Sequence, residues 1–132
     1  MKPKIIVLCG SSRFVDVMAV CGWLLERDEK AIVMGLHLLP IWYGDVPDHI
    51  AEVEGVAADM DELHLRKIDI ADEIFVVDYE EYIGSSTAKE IEYAKQKSVP
   101  IRYYSRESIR STIHDLMTKY LEANRKDIEE DM

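Results

Sequence analysis

Three short segments of this chain combine residue types that could do chemistry. The first, Gly10-Ser11-Ser12-Arg13, places a glycine, two hydroxyls and a guanidinium in a row. Glycine permits a tight turn with close backbone approach. Free amides at a helix start hold anions, and arginine offers a planar fork suited to phosphate. The same four residues also describe an ordinary strand-to-helix turn with a serine cap. They lack the Lys-Ser/Thr ending of a P-loop and the spacing of GxGxxG.

The second segment is Gly84-Ser85-Ser86-Thr87-Ala88-Lys89-Glu90. Thr87 and Glu90 have capping-box spacing, which explains both residues, and spacing alone favours that reading. A carboxylate in the first turn of a helix also stays ionised with support from the helix dipole. There it can attack a sugar C1′ or stabilise an oxocarbenium-like transition state. The third segment carries Asp61, His64, Asp69 and Asp72 along one predicted helix. His64 reads as a base, a substrate contact or a solvated side chain. The charged outer face normal for such a helix favours the last. Trp42 and Tyr43 lie in an irregular stretch, where aromatic rings stack on a base, fill a subunit contact or fill the core.

These segments need elements to hold them. Residues 4–9 form a continuous apolar run ending at Gly10, the pattern of a strand buried on both faces of a parallel sheet. Residues 14–29 repeat apolar positions at helical spacing: Phe14, Val17, Met18, Cys21, Leu24 and Leu25. Residues 31–35 read as a second buried strand. Residues 36–56 contain Pro40, Gly44, Pro47 and Gly55 and resist assignment. So long a connection in a small domain is often functional.

Residues 59–71 predict a helix with Met60, Leu63, Ile68 and Ala71 inward and a capping box at 59–62. A third buried strand at 73–77 closes with Asp78, and a loop follows at 79–85. A helix at 87–97 buries Ile91, Ala94 and Tyr93, and a fourth strand spans 99–104. Ser105 is placed to cap a last helix, in which Ile109, Ile113, Leu116, Tyr120 and Leu121 recur every three or four residues. Residues 1–121 are expected to form one domain, and the acidic end, 122–132, to fray. Strands alternating with helices predict a three-layer α/β fold on a parallel sheet. Ligands of such sheets bind beyond the carboxyl ends of the strands, which selects residues 10–13, 36–45 and 78–86.

Composition narrows the function classes. The chain has 132 residues, enough for one domain with its own core. With 16 basic and 26 acidic residues its net charge is −10. That balance opposes non-specific binding to nucleic acid or anionic membrane, but not a small anion held by local donors. Cys9 and Cys21, with four scattered histidines, show no metal-ligand spacing. No apolar run is long enough to span a membrane, and no signal-peptide pattern is present. The expectation is a cytoplasmic protein with reduced thiols, Cys9 serving as core packing.

Taken in order, the motifs resemble the nucleoside 2-deoxyribosyltransferase superfamily. The resemblance spans roughly residues 4–104. It rests on Cys9-Gly10-Ser11-Ser12-Arg13, on the run Asp61-Glu62-Leu63-His64-Leu65-Arg66-Lys67-Ile68-Asp69-Ile70-Ala71-Asp72, and on Tyr82-Ile83-Gly84-Ser85-Ser86-Thr87-Ala88-Lys89-Glu90-Ile91-Glu92-Tyr93-Ala94. It implies a flavodoxin-like α/β fold with a four- or five-stranded parallel sheet, and cleavage of an N-glycosidic bond without metal or organic cofactor. It also implies a glutamate nucleophile at Glu90. Gly10, Ser11 and Arg13, with Ser12 between them, match the phosphate-binding turn of the branch that hydrolyses deoxynucleoside 5′-monophosphates. Ser86 falls in the segment near the sugar and phosphate. Family members usually form dimers or larger assemblies.

Three positions depart from the family pattern. His64 stands where characterised members carry an aspartate, Gly84 where transferases carry one, and Val7 where the monophosphate hydrolases carry a tyrosine. An imidazole can donate a hydrogen bond or shuttle a proton near neutral pH, but it supplies no fixed negative charge. The leading expectation is an N-glycosidase of a nucleotide-like substrate, hydrolytic rather than base-exchanging. In it Glu90 is catalytic, His64 and Asp72 assist, and Trp42 or Tyr43 flanks the base. The alternative is a non-catalytic protein binding a nucleotide or an ADP-ribose-type ligand on the same fold. A purely structural subunit is the third reading.

Overall fold

The computed structural model describes residues 2–130, without the side chains of Asp48 and of residues 122–130. Its centre is strand β1 (Ile5–Gly10), six residues with no charged side chain. β1 is flanked by β2 (Ile32–Met34) and β3 (Glu73–Val77), and β3 by β4 (Ile101–Tyr103). All pairings are parallel, in the order β2-β1-β3-β4. Parallel neighbours need long crossovers. These contain α1 (Val15–Glu29), then a short α2 (Ile50–Val53) with α3 (Ala57–Asp69), then α4 (Ser85–Gln96). A last helix, α5 (Ile109–Glu130), follows β4. The expected three-layer α/β fold with a four-stranded parallel sheet is therefore what the chain forms.

The strand pleat divides the core in two. Ile6 and Leu8 of β1, with Phe75 and Val77 of β3, face Val17, Met18, Cys21, Leu24 and Leu25 of α1 and Ile113 of α5. Val7 and Cys9, with Ile74 and Val76, face Ile68 of α3 and Ile91 and Ala94 of α4. Successive residues point to opposite faces, so the thiol of Cys9 belongs to the α3/α4 layer. Gly10 ends β1 where a Cβ would meet the Val77 carbonyl oxygen at 3.2 Å and Met18 Sδ at 3.3 Å. Glycine is needed there for the close approach of β1 to β3.

Several local expectations are corrected. β2 is a three-residue edge strand, and Ile32 is half exposed, so it is not the buried strand expected at 31–35. Helix α3 starts at Ala57 with Val56 as its N-cap and no side-chain cap, so the box at 59–62 does not form, and Leu63 is exposed. Helix α4 starts at Ser85 after Gly84, again without a side-chain cap, so Thr87 and Glu90 make no capping box. Ser105 lies in a 3-10 turn (Tyr104–Arg106), where its backbone N–H and hydroxyl both donate to Asp78 at 2.9 and 2.5 Å. It joins β4 to the end of β3 rather than capping α5. In α5 Ile113 is buried while Tyr120 and Leu121 are exposed. The fraying expected at 122–132 falls on side chains, and on residues 131–132, outside those described. Among the described residues no helix is long and apolar enough to cross a membrane.

Candidate active site at the carboxyl ends of β1 and β3

The chain leaves β1 toward β2 on one side and returns to β3 on the other. That reversal opens a crevice beyond the carboxyl ends of the two strands. A cavity of about 260 Å³ occupies this position. Gly10, Ser11, Ser12 and Arg13 line it from the β1 side, and Tyr82 with Gly84 to Thr87 from the β3 side. Asp61 and His64 of α3 and Glu90 of α4 also reach it.

Each wall has a local cause. Ser11 Oγ accepts from the Arg13 amide at 3.2 Å, and the Ser11 carbonyl accepts from Phe14 N–H at 3.0 Å. The serine-cap reading of this turn therefore holds, and Arg13 lines the cavity. After β3 the chain passes through a 3-10 turn (Tyr79–Glu81) in which Glu80 and Glu81 adopt left-handed φ of 55° and 60°. This turn brings Tyr82 beneath the Arg13 guanidinium, 4.6 Å from ring centroid to Cζ. Phe14 braces it edge-on against both Tyr79 and Tyr82. Helix α4 then begins with Ser85, Ser86 and Thr87 on the cavity wall, with no acidic residue in its first turn. An uncapped helix start facing a cavity presents amides and the positive dipole end to a ligand.

His64 and Glu90 line the cavity, and Cys9 lies behind them, so three polar side chains from three elements meet there. Cys9 of β1, His64 of α3 and Glu90 of α4 are all buried, the last two at 2% and 6% exposure. Cys9 Sγ is 3.5 Å from His64 Nε2, and His64 Nε2 is 3.5 Å from Glu90 Oε2. One donor atom each of Cys9, His64 and Glu90 lies within 4.8 Å of the other two. His64 Nδ1 and Glu90 Oε2 have no hydrogen-bond partner. Burial pushes the Glu90 carboxyl up to about 7; the Cys9 thiol opposes the shift and the charge of Asp61 adds to it. Burial pulls His64 down to about 4, helped by the charges of Lys67 and His37. Burial, followed by the charge of Glu90, raises the Cys9 thiol well above its usual range. The site thus holds a neutral imidazole beside a carboxyl poised to ionise near neutrality.

The structure gathers Gly10, Ser11, Ser12, Arg13, His64, Ser86 and Glu90 around one cavity. His64 is buried rather than solvated, because α3 turns that face toward β1 and α4. The other three expected residues are elsewhere. Asp72 sits at the amino end of β3, where its carboxylate accepts from Ile5 N–H at 2.7 Å and its own N–H donates to the Ile5 carbonyl at 2.8 Å. It pins β1 to β3 at the end of the sheet opposite the cavity. Trp42 is 79% exposed, and neither it nor Tyr43 lines the cavity. The tyrosine bonds Glu54 at 3.5 Å instead. Sequence reasoning selected the segment 78–86 without singling out Tyr82, and it missed Cys9 as a polar neighbour of His64 and Glu90. The alternation of β1 could have placed Cys9 on the α3/α4 face, but nothing in linear spacing joins it to His64, 55 residues away. No protein-family model and no curated protein matches this chain.

Proposed function

We propose that this protein is an N-glycosidase acting on a small nucleotide-like substrate, as its resemblance to the nucleoside 2-deoxyribosyltransferase superfamily implies. The observation that carries the reading is the Glu90 carboxyl. It is buried at the inner end of a cavity whose outer wall combines Arg13 with the uncapped start of α4. Nucleophile and anion-binding donors so disposed suit a sugar phosphate with its C1′ turned inward. In its ionised form Glu90 attacks C1′, the C1′–N bond breaks, and the base leaves with the bonding pair and takes a proton from solvent. Water then attacks C1′ of the glycosyl-enzyme ester, which releases the sugar and restores the carboxylate. His64, neutral at pH 7, lies 3.5 Å from the Glu90 carboxylate as an uncharged neighbour.

Size favours a mononucleotide. At about 260 Å³ the cavity lies just below the roughly 300 Å³ lower end for pockets that enclose drug-sized ligands. That leaves little room for a dinucleotide. The test is incubation with nucleosides, 5′-monophosphates and NAD-type dinucleotides, with free base read by chromatography. Base release from monophosphates in preference to the other two classes is expected. Release from none of them, in protein whose melting temperature no compound raises, refutes the reading.

A second reading, ligand binding without cleavage, is favoured by one observation. A carboxyl titrating near 7 beside a neutral imidazole is a weaker nucleophile at pH 7 than a fully ionised one. A monophosphate that raises the melting temperature and is recovered intact assigns the protein to that class.

A further inference from the structure

We propose that Cys9, His64 and Glu90 form a site for a single zinc-type divalent ion, with its open coordination position facing the cavity. Three observations support it. The ligand types are a thiol, an imidazole and a carboxylate, the borderline-soft set that selects zinc or cobalt over calcium or magnesium. One donor atom from each lies within 4.8 Å of the other two, and all three residues are buried. The spacing also fits: a tetrahedral centre with metal–sulfur and metal–nitrogen bonds of ~2.3 and ~2.0 Å has an S···N edge of ~3.5 Å, and an N···O edge slightly shorter. The observed Sγ···Nε2 and Nε2···Oε2 distances are both 3.5 Å.

The environment also calls for a cation. Glu90 Oε2 is buried with no hydrogen-bond donor, although an imidazole nitrogen is near it. Coordination would remove the thiol proton, and the resulting thiolate and carboxylate charges would balance a divalent ion. The three residues come from β1, α3 and α4, regular elements that hold a ligand set more rigidly than loops do. Three protein ligands plus one open position is the pattern of a reactive zinc site rather than a closed structural one. His64 Nδ1 lacks the acceptor that usually orients a metal-bound imidazole. That absence sets the expected affinity ~10–100-fold below that of a fully supported site.

The consequence for activity rests on the glycosidase reading. A Glu90 oxygen committed to a metal cannot attack C1′, so the ion acts as an inhibitor at the nucleophile. The test uses the full chain, freed of metal with a chelator and titrated with Co²⁺ and Zn²⁺. The expected result is one Co²⁺ per chain with a thiolate-to-cobalt charge-transfer band, displaced by Zn²⁺. Zn²⁺ should also raise the melting temperature. Cys9→Ser should abolish the charge-transfer band and Cys9→Ala should weaken Co²⁺ binding at least tenfold, with both variants checked for folding by circular dichroism. A folded wild type giving neither the band nor a melting shift at millimolar metal overturns the site. Base release that persists in chelator and is lost on stoichiometric Zn²⁺ supports the inhibitory role. Base release that requires the metal overturns that role and leaves the site standing. Metal binding with no base release under any condition supports the site and refutes the glycosidase reading instead.

Discussion

His64 and Glu90 together make a prediction about stability that neither makes alone. In the metal-free protein the carboxyl is raised from 4.5 to about 7, and the imidazole is lowered from 6.5 to about 4. Each displacement, at 1.36 kcal/mol per pH unit, corresponds to about 3 kcal/mol of linkage. The signs are opposite. Glu90, raised on folding, contributes stability that is fully present below 4.5 and lost as pH rises through 7. His64, depressed on folding, contributes stability present above 6.5 and lost as pH falls through 4. Across that window the folded pair holds one proton, and the unfolded chain holds one over nearly the same range, whichever partner carries it. The pair's net contribution is therefore nearly flat between pH 4.5 and 6.5.

Removing one partner exposes the slope of the other. Glu90→Gln keeps the shape and removes the buried charge. Relative to wild type it should gain about 3 kcal/mol between pH 4.5 and pH 8, a difference of roughly 10 °C in melting temperature for a domain of this size. His64→Gln should show the reverse trend, losing stability relative to wild type as acid conditions are left behind. Urea unfolding in chelator, at half-unit pH steps, gives the difference curves, in which the exposed carboxylates cancel. The groups facing the pair are Cys9, Asp61, Lys67 and His37, and all four are kept in both variants. A wild-type-minus-variant difference constant to within about 1 kcal/mol from pH 4.5 to 8 refutes the argument, because it means burial does not move the pKa of Glu90.

Other predictions concern the walls and the frame. Arg13→Ala should raise KM for a 5′-monophosphate about 10–100-fold, the value of a charge-assisted phosphate contact, and leave KM for the matching nucleoside within about threefold. Equal losses on both substrates refute its assignment to phosphate. Trp42→Ala should change base release by less than about twofold, because an exposed surface aromatic off the cavity contributes little to it. A tenfold loss would show that the ring reaches the substrate. Arg102 holds Glu29, Glu73 and Glu107 at 2.7 to 2.9 Å, and Glu73 is buried. Arg102→Met should cost about 2–4 kcal/mol in urea unfolding, mostly from the buried Glu73, which keeps only the exposed Lys4 at 3.5 Å as a partner, and adding Glu73→Gln should recover part of it.

The frame was more legible in the sequence than the site. β1 and β3 are fully apolar or nearly so because both of their faces are covered, and a continuous apolar run between turn residues carries that information directly. β2 shows the limit of this signal: Ala31-Ile32-Val33-Met34 has the same composition, yet it lies at the sheet edge and Ile32 faces solvent. Helix starts were misplaced by two residues at α3 and α4 because Ser, Thr and Asp suggested side-chain caps. The chain instead enters both helices from Val56 and Gly84, without such a cap.

The turn of residues 10–13 was readable because a fold rule places strand ends at the ligand, whereas Glu90 was readable only through the family resemblance, spacing alone favouring a cap. The polar trio was not. Cys9 looks like packing within an apolar run, and His64 looks solvated within a charged helix. Only the pleat of β1 together with the facing sides of α3 and α4 brings them to Glu90. Asp72 and Trp42 misled for the complementary reason. Nearness in sequence to a site segment says nothing about which end of the sheet a side chain occupies.

The central claim is that Glu90 forms a covalent bond to C1′. Its most direct test compares wild type with Glu90→Gln on the monophosphate that the wild type turns over, measuring free base and the intact mass of the protein in the same quenched sample. The expected result is base release by the wild type, a sugar-phosphate adduct on the peptide carrying Glu90, and neither in the variant. Full turnover by Glu90→Gln, or an adduct on any other residue, would contradict it.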